Sequence, residues 1–296
     1  MSKKYTVVVL VLAALLSAFG PADGFRERFR AAVQANKPAA VEQTLKDWEK
    51  AAPRDPDLYV AQFNWLLKKA ERVLVQPGPA KGKGIEFEDK KGQTVGNLSS
   101  GYDPELVKQA AAALGKGLGF APDRLDMHFG LAKLYEMTGQ PAPQLLALRT
   151  ALAAHPANGQ PWRWRDGGAL PGPEAQFVPA TLEEYASYYW RQDRDHALED
   201  GRAIADLIEK YYPKSSLGPF NVGMYYAFKK QPAQAYAKLQ QADALAPNDP
   251  STVGNLARLA IELKRKDEAA RYLAQMRKMP GYEADANELT KELKQL

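Results

Sequence analysis

The side chains best placed for chemistry form an acidic cluster with interleaved arginines near residue 200. The cluster consists of Asp193, Asp195, Glu199, Asp200, Arg191, Arg194 and Arg202. Paired carboxylates can carry out acid–base catalysis, but only where a desolvated cleft shifts their pKa values. Arginines at this density favour a solvated surface of ion pairs instead. The cluster therefore does not predict a catalytic site.

Metal and cofactor chemistry has little support in the sequence. The three histidines, His128, His155 and His196, show no His-x-x-x-His or Glu-x-x-His spacing, and there is no cysteine. A phosphate-binding loop, a dinucleotide-binding glycine pattern and a Gly-x-Ser-x-Gly motif are also missing. We therefore predict no catalytic residues, no metal ligands and no cofactor, and a protein that is not an enzyme.

An aromatic and basic segment, Trp162-Arg163-Trp164-Arg165-Asp166-Gly167-Gly168, is the most suggestive stretch of the chain. Tryptophan faces can stack on a sugar, a base or an aromatic side chain of a peptide. A carbohydrate or cell-wall binding module using Trp162, Trp164 and Trp190 is therefore one hypothesis. The other is structural, because a long loop needs apolar anchors to hold it against the rest of the protein.

The overall composition is that of a folded, helix-rich protein. The chain has 296 residues, of which 45% are hydrophobic and 25% charged, and alanine is abundant. Alanine favours helices because it loses no side-chain entropy there. A formal net charge of +5 spread along the chain is weak support for nucleic-acid binding, so we predict no nucleic-acid partner.

The N-terminus has the three parts of a secretory signal. Lys3 and Lys4 precede an apolar run from Thr6 to Phe19, and a small-residue exit follows, so that cleavage is expected after Ala22. The run is shorter than the roughly 18–20 residues that span a bilayer, although a retained anchor stays an alternative. We predict a signal peptide over residues 1–22 and a periplasmic or secreted protein over 23–296 that spans no membrane.

Two C-terminal stretches, starting at Ser216 and Pro250, repeat one pattern with a spacing of 34 residues. In both, positions 8 and 20 are small, and these residues are Gly223, Ala235, Ala257 and Ala269. Small side chains there allow two antiparallel helices to approach closely. A proline near position 32, such as Pro247, would end the second helix. The pattern resembles the tetratricopeptide repeat (TPR), which implies paired helices stacked in a solenoid.

The same register continues upstream, with counts restarting at Leu125 and Leu182, the latter behind a capping box of Thr181 and Glu184. Further pairs are predicted over Phe25–Pro53 and for helices Asp57–Val73 and Pro104–Phe120. The predicted fold is all-α, a right-handed superhelical TPR-like solenoid of about six helix pairs. A final helix over residues 282–296 would cap it.

Two insertions interrupt the array. The first, residues 76–102, contains alternating segments on both sides of Asp89-Lys90-Lys91-Gly92, which predicts a β-hairpin packed on the helices. The second, residues 157–180, is predicted to be a loop. This arrangement loosely resembles a group of exported bacterial TPR proteins, which implies no particular activity.

The concave groove of a TPR solenoid is the expected binding surface, formed by positions such as 5 and 9 of each first helix, which are Val60 and Asn64 in the helix predicted from Asp57. Together with the tryptophans of the second insertion, the candidates are Asn64, Phe129, Lys133, Trp190, Phe220, Met224, Arg258, Trp162 and Trp164. TPR domains that clamp a chaperone's C-terminus have lysine at position 5 and asparagine at 9. Here Asn64 lacks that lysine, so we predict an apolar or mildly acidic protein or peptide partner instead, with a glycan as the alternative.

Overall fold

The computed structural model describes residues 21–79, 85–158, 161–192, 194 and 196–295, so the predicted signal peptide lies almost wholly outside it. Helices dominate this part of the chain. They are α1 (Pro21–Gln34), α2 (Pro38–Ala51), α3 (Pro56–Ala70), α4 (Pro104–Phe120), α5 (Leu125–Met137), α6 (Pro141–Asn158), α7 (Glu174–Trp190), α8 (Ala197–Tyr211), α9 (Leu217–Phe228), α10 (Pro232–Leu245), α11 (Pro250–Glu262), α12 (Lys266–Met276) and α13 (Glu283–Leu293).

Several helices begin at an Asp-Pro pair. Asp55, Asp103 and Asp249 are the N-cap residues of α3, α4 and α11, and each is followed by proline at the first helical position. The Asp103 carboxylate accepts hydrogen bonds from the backbone N–H groups of Glu105 and Leu106 at 2.8 and 2.9 Å. Proline has no N–H to leave unsatisfied there, and the aspartate satisfies the N–H groups that follow.

The chain divides into two compact units. Unit 1 comprises Met1–Gln140 and His155–Gly168, and unit 2 comprises Pro141–Ala154 and Ala169–Leu296. In unit 2, each helix from α7 to α13 packs on the next one along the chain, and α11 also contacts α13. In unit 1, α1 to α5 pack in the same consecutive way. Both units are thus stacks of helical hairpins, as predicted, with a small β insertion in unit 1.

The small residues of the repeat pattern lie where helices meet, as predicted. Ala235, Ala257 and Ala269 are fully buried. A Cβ atom built on Gly223 would lie 2.9 Å from Leu239 Cδ2 and 3.3 Å from the backbone oxygen of Ala235. A larger side chain at position 223 would therefore push α9 away from α10. The predicted capping helix is also present as α13, with Ala286 and Leu289 buried.

The first insertion forms a three-stranded antiparallel sheet rather than the predicted two-stranded hairpin. Its strands are β1 (Glu71–Pro77), β2 (Ile85–Glu88) and β3 (Thr94–Tyr102), in the spatial order β1-β3-β2. The β2–β3 hairpin is present as predicted, but its predicted packing on the helices was wrong for β2, whose four residues are all exposed. The predicted helix Asp57–Val73 was wrong at its end, because α3 stops at Ala70 and the β-branched Val73 and Val75 pair with β3 instead.

The second insertion, predicted to be a loop over residues 157–180, is shorter in the structure. Helix α6 continues past Pro156 to Asn158, and α7 begins at Glu174 instead of Leu182. Pro173 takes the N-cap position, and Pro179 is accommodated inside the helix. The predicted capping box was wrong, since the Thr181 hydroxyl donates to the backbone oxygen of Phe177 within the helix (3.0 Å). Between these helices lies one 3-10 turn, Arg165–Gly167.

Among the described residues, none of the helices combines the length and the apolar character that a membrane span requires.

Candidate functional site

Unit 1 contains a cavity of about 460 Å³ between its helices and the 3-10 turn. Its apolar lining residues are Phe29, Trp48, Val60, Ala61, Phe63, Leu114, Met127 and Gly130. Its polar lining residues are Arg26, Arg30, Asp57, Asn64, Arg124, Asp126, Arg165 and Asp166. The site is therefore an apolar pocket with charged side chains at defined positions, which is the usual composition of a ligand pocket.

A chain of ion pairs forms one wall of this cavity. Arg26 contacts Asp57 at 2.6 Å, Asp57 contacts Arg124 at 2.7 Å, and Arg124 contacts Asp126 at 2.8 Å. Arg124 is only 2% exposed. Burial disfavours its charge, but the hydrogen bonds and charges of Asp126 and Asp57 outweigh that effect and raise the pKa of Arg124. The network is thus a fixed structural element that holds α1, α3 and α5 around the pocket.

The rim of the cavity carries charges that are less firmly held. Arg30 on α1 pairs with Asp166 of the 3-10 turn at 3.3 Å, with both side chains more than half exposed. Arg165 lies with its guanidinium carbon 6.0 Å from the ring centre of Trp164. Exposed ion pairs of this kind contribute little stability, about 0–1 kcal/mol. The Arg30–Asp166 contact therefore holds the 3-10 turn only weakly against α1.

Trp162 anchors the segment that carries this rim. Its ring is buried, is stacked on His155 at 4.2 Å and meets the edge of His128 at 5.6 Å. The backbone of the next residue, Arg163, is bonded twice to the start of α5: Leu125 N–H donates to Arg163 C=O (2.9 Å), and Arg163 N–H donates to Asp123 C=O (2.8 Å). This geometry agrees with the structural hypothesis for Trp162. A buried ring cannot stack on a sugar, so the carbohydrate hypothesis loses one of its three tryptophans.

His128 supports the same anchor. It is buried, and one ring nitrogen, Nε2, lies 2.9 Å from the backbone oxygen of Pro122, so the neutral ring donates its Nε2 proton there. Burial lowers the pKa of His128, although the Pro122 carbonyl and Asp126 act in the opposite direction. The side chain therefore has a packing role.

Of the groove residues predicted in unit 1, only those on α3 reach the cavity. Val60 and Asn64 line it. Phe129 and Lys133 on α5 are not among its lining residues. Phe129 is buried and meets the edge of the half-buried Trp164 at 6.2 Å, and Lys133 pairs with the buried Glu136. The structure thus brings Trp164 and Phe129 together, and neither lines the cavity that Asn64 borders.

The groove residues predicted in unit 2 lie on its helices with different exposures. Trp190 packs its ring over Gly201, and its indole N–H donates to Asn221 (3.1 Å). Phe220 is half-buried against the core of α9 to α13, and Met224 is also half-buried. Arg258 is exposed. Trp190 is therefore a packing residue at the junction of α7, α8 and α9.

Sequence reasoning missed most charged residues of the cavity. Asp57 and Arg124 are 67 positions apart, and Arg30 and Asp166 are 136 apart. Ion pairs between distant positions leave no spacing pattern in the sequence. The one available signal was local, namely Arg124 and Asp126 near the predicted start of a helix.

The acidic cluster near residue 200 forms exposed ion pairs where it is described. Asp200 pairs with Arg194 at 2.7 Å and Glu199 with Lys229 at 3.0 Å, while Asp193 and Asp195 lie outside the described residues. These contacts agree with the interpretation as a solvated surface. No group of three or more potential ligand side chains that could hold a metal ion occurs in the described part of the chain.

Comparisons with known proteins point to one architecture. A family model for the tetratricopeptide repeat matches residues 229–280. No curated protein matches the chain significantly. Among solved structures, PilF of Pseudomonas aeruginosa is 22% identical over 64% of this chain and 76% of its own, with a TM-score of 0.41. YrrB, described as a TPR protein with an unusual peptide-binding site, is 10% identical over 83% of this chain and 97% of its own, with a TM-score of 0.43.

A thermophilic TPR protein of Thermus thermophilus is 20% identical over 64% of this chain and 91% of its own, with a TM-score of 0.37. The matched residues 229–280 cover α10 to α12, where the 34-residue pattern is clearest. This segment of the chain is therefore a tetratricopeptide repeat, as its sequence resemblance predicted.

Proposed function

We propose that this protein is a non-catalytic scaffold that binds an apolar, mildly acidic peptide segment of another protein in the cavity of unit 1. The TPR architecture is one that proteins use for protein binding. The observation that carries the proposal is the 460 Å³ cavity with Val60 and Asn64 on its wall. These are positions 5 and 9 of a first helix, where TPR proteins contact their ligands.

The lining of the cavity defines the chemistry of the ligand. Its apolar side chains, which include Phe29, Phe63 and Met127, suit two or three apolar side chains of a peptide. The four arginines of the lining outnumber its three aspartates by one. Arg30 and Arg165 lie at the rim, so an acidic side chain next to an apolar one would fit best.

The 3-10 turn gives the proposal a specific contact. Asp166 adopts a left-handed backbone conformation (φ 53°) and presents its carboxylate to Arg30. An acidic ligand residue would take over this contact, and the exposed pair that it replaces is weak. Asp166 would then compete with the acidic ligand residue for Arg30, and a tightly bound ligand would displace it.

The proposed location is the bacterial cell envelope or the secreted fraction, where the protein would act as an adaptor. This part rests on residues 1–22, whose basic start, apolar run and small-residue exit are typical of a signal peptide.

The test is selection of binding peptides from a displayed random library, followed by affinity measurement with labelled peptides. Asn64→Trp fills the cavity from an exposed position and should weaken binding at least about tenfold, which corresponds to about 1.4 kcal/mol. The control is Lys69→Trp, which places the same indole at an exposed position of the same helix that does not line the cavity. The exposed Lys69–Glu42 pair that it removes is weak. The control should leave the affinity unchanged.

Charge reversal at the rim tests the ligand chemistry. Arg165→Glu should select against acidic peptides while leaving apolar contacts in place. Peptides that are insensitive to Asn64→Trp but lose affinity in the double variant Phe220→Ala and Met224→Ala would place the site in unit 2 and contradict the proposal.

A further inference from the structure

The three-stranded sheet of unit 1 exposes an apolar face. In the strand register, Val73 lies opposite Ser100, Val75 and Ile85 lie opposite Leu98, and Phe87 lies opposite Gly96. Residues paired in this way point to the same side of a sheet. Val73, Val75, Ile85, Phe87 and Leu98 therefore share one side, and we name this set the apolar face.

The apolar face is unusually exposed for such side chains. Val73 is 70% exposed, Val75 76%, Ile85 66% and Phe87 39%. Leu98, in the central strand, is half-buried. Of the charged residues in these strands, Arg72 and Glu86 belong to the opposite side by register, Glu71 borders the apolar face at the start of β1, and Glu88 lies beyond the register shift at the end of β2. An exposed apolar patch of this size is typical of an interaction site.

Among the described residues, no strand pairs with the outer edge of β1, which lies next to this face. Asp103 N–H donates to Ala70 C=O (2.8 Å) just before the strand, and Gly78 N–H donates to Val95 C=O (3.2 Å) just after it. Bonded and non-bonded residues alternate in an antiparallel pair, so the even-numbered residues of β1 bond to β3. The N–H and C=O groups of Val73 and Val75 therefore point to the free side of the strand.

The area of the apolar face decides what can cover it. Its side chains expose on the order of 400 Å², whereas a stable dimer needs about 800 Å² from each partner. A second copy packed on this face alone would thus be too weakly held. An extended strand is a better match, because it adds backbone hydrogen bonds to the apolar contact.

We propose that β1 is a docking edge for an extended apolar segment of a partner protein, which adds a fourth strand next to Val73 and Val75. The docked segment has alternating apolar residues on the side of the apolar face. It is short, about four or five residues, because Pro77 has no N–H and Glu71 and Arg72 begin the strand with charges. This site is separate from the cavity of unit 1 and does not depend on it.

The test measures, by fluorescence anisotropy, the affinity of the full chain for a labelled peptide. The peptide has eight residues of alternating valine and threonine with a lysine at each end. The variant Val75→Lys places a charge on the apolar face and should weaken binding at least tenfold. The matched control Gln76→Lys adds the same charge to the next residue of β1, on the opposite side of the sheet, and should change the affinity less than about threefold. Both positions are exposed, and far-ultraviolet circular dichroism should show that both variants stay folded.

A second peptide tests the backbone contacts. The same sequence with N-methyl groups on alternate residues keeps its side chains but cannot pair with a strand edge, and it should not bind. Equal binding of the methylated peptide, equal loss in both lysine variants, or no binding of either peptide would overturn the proposal. A dimer that is seen in sedimentation experiments and that Val75→Lys dissociates would also overturn it. The same holds if a photo-crosslinker at position 73 captures the chain's own first 20 residues.

Discussion

Different interactions stabilise the interior of each of the two units. Unit 2 is built from apolar side chains and from small residues at helix contacts, such as the fully buried Ala235 and Ala257. Unit 1 has a buried ion-pair network around Arg124 and aromatic anchors such as Trp162. Four of the five tryptophans belong to unit 1 and only Trp190 to unit 2. The cavity also lies in unit 1.

The insertions account for this contrast. In both units the helices pack on their sequence neighbours, and small residues such as Ala235 and Ala257 allow that packing in unit 2. In unit 1, the second insertion returns to the start of α5 and closes a pocket that the helices alone would leave open. The charged side chains of this pocket are held in place by their mutual ion pairs, such as Asp57 with Arg124.

The largest effect is expected from the buried network of unit 1. Replacing Arg124 by methionine leaves the Asp57 and Asp126 carboxylates buried without their main partner, which should lower the free energy of unfolding by about 3–5 kcal/mol. Urea unfolding followed by tryptophan fluorescence measures this loss, because four of the five tryptophans report on unit 1.

The control for this change is Arg163→Met, which breaks the more exposed pair with Asp123. It should cost at most about 1 kcal/mol. If both arginine variants lose the same stability, then burial is not what distinguishes the network and the contrast between the units fails.

A smaller effect is expected from helix contacts in unit 2. Gly223→Ala places a methyl group 2.9 Å from Leu239, and we expect a net loss of about 1 kcal/mol, because overpacking exceeds the gain in helix propensity. Gly115→Ala, on α4 of unit 1, meets no atom within 4 Å and should gain about 0.5–1 kcal/mol. Relative to the wild type, the midpoint temperature of thermal unfolding should therefore fall for Gly223→Ala and rise for Gly115→Ala. A gain in both would show that α9 and α10 can separate without cost.

The smallest effect is a pH dependence in unit 1. Burial lowers the pKa of His128 below its ordinary value of 6.5, so the unfolded chain binds a proton more readily than the folded one. The contribution of neutral His128 to the free energy of unfolding is therefore fully present above pH 6.5. It is lost as the pH drops below that value toward the lowered pKa. His128→Gln should flatten the stability profile between about pH 7 and 5, measured by urea unfolding at each pH. A profile as steep as that of the wild type would assign the effect to other groups.

Sequence reasoning identified the helix pairs well where the repeat is regular. It predicted Pro104–Phe120 and the close contact at Gly223, because helix-start signals and small residues act locally. It failed where strands compete with helices. Val73 belongs to an apolar run that fits either structure, and only pairing with Ser100 on β3 makes it a strand.

The candidate site was predicted only in part. Val60 and Asn64 followed from the repeat register and do line the cavity. For Trp162 the sequence left open whether its ring binds a ligand or anchors a loop, and burial favours the anchor. Arg30 and Asp166 gave no signal because their pairing depends on the path of the chain between them.

Local sequence signals specify the helical architecture, since alanine content, Asp-Pro helix starts and a 34-residue pattern of small residues all act between near neighbours. The position of the cavity and the charges that surround it depend on long-range packing and are visible only in the structure. The physical reason is distance along the chain, because Asp57 and Arg124, 67 residues apart, become partners only after α3 and α5 have packed together.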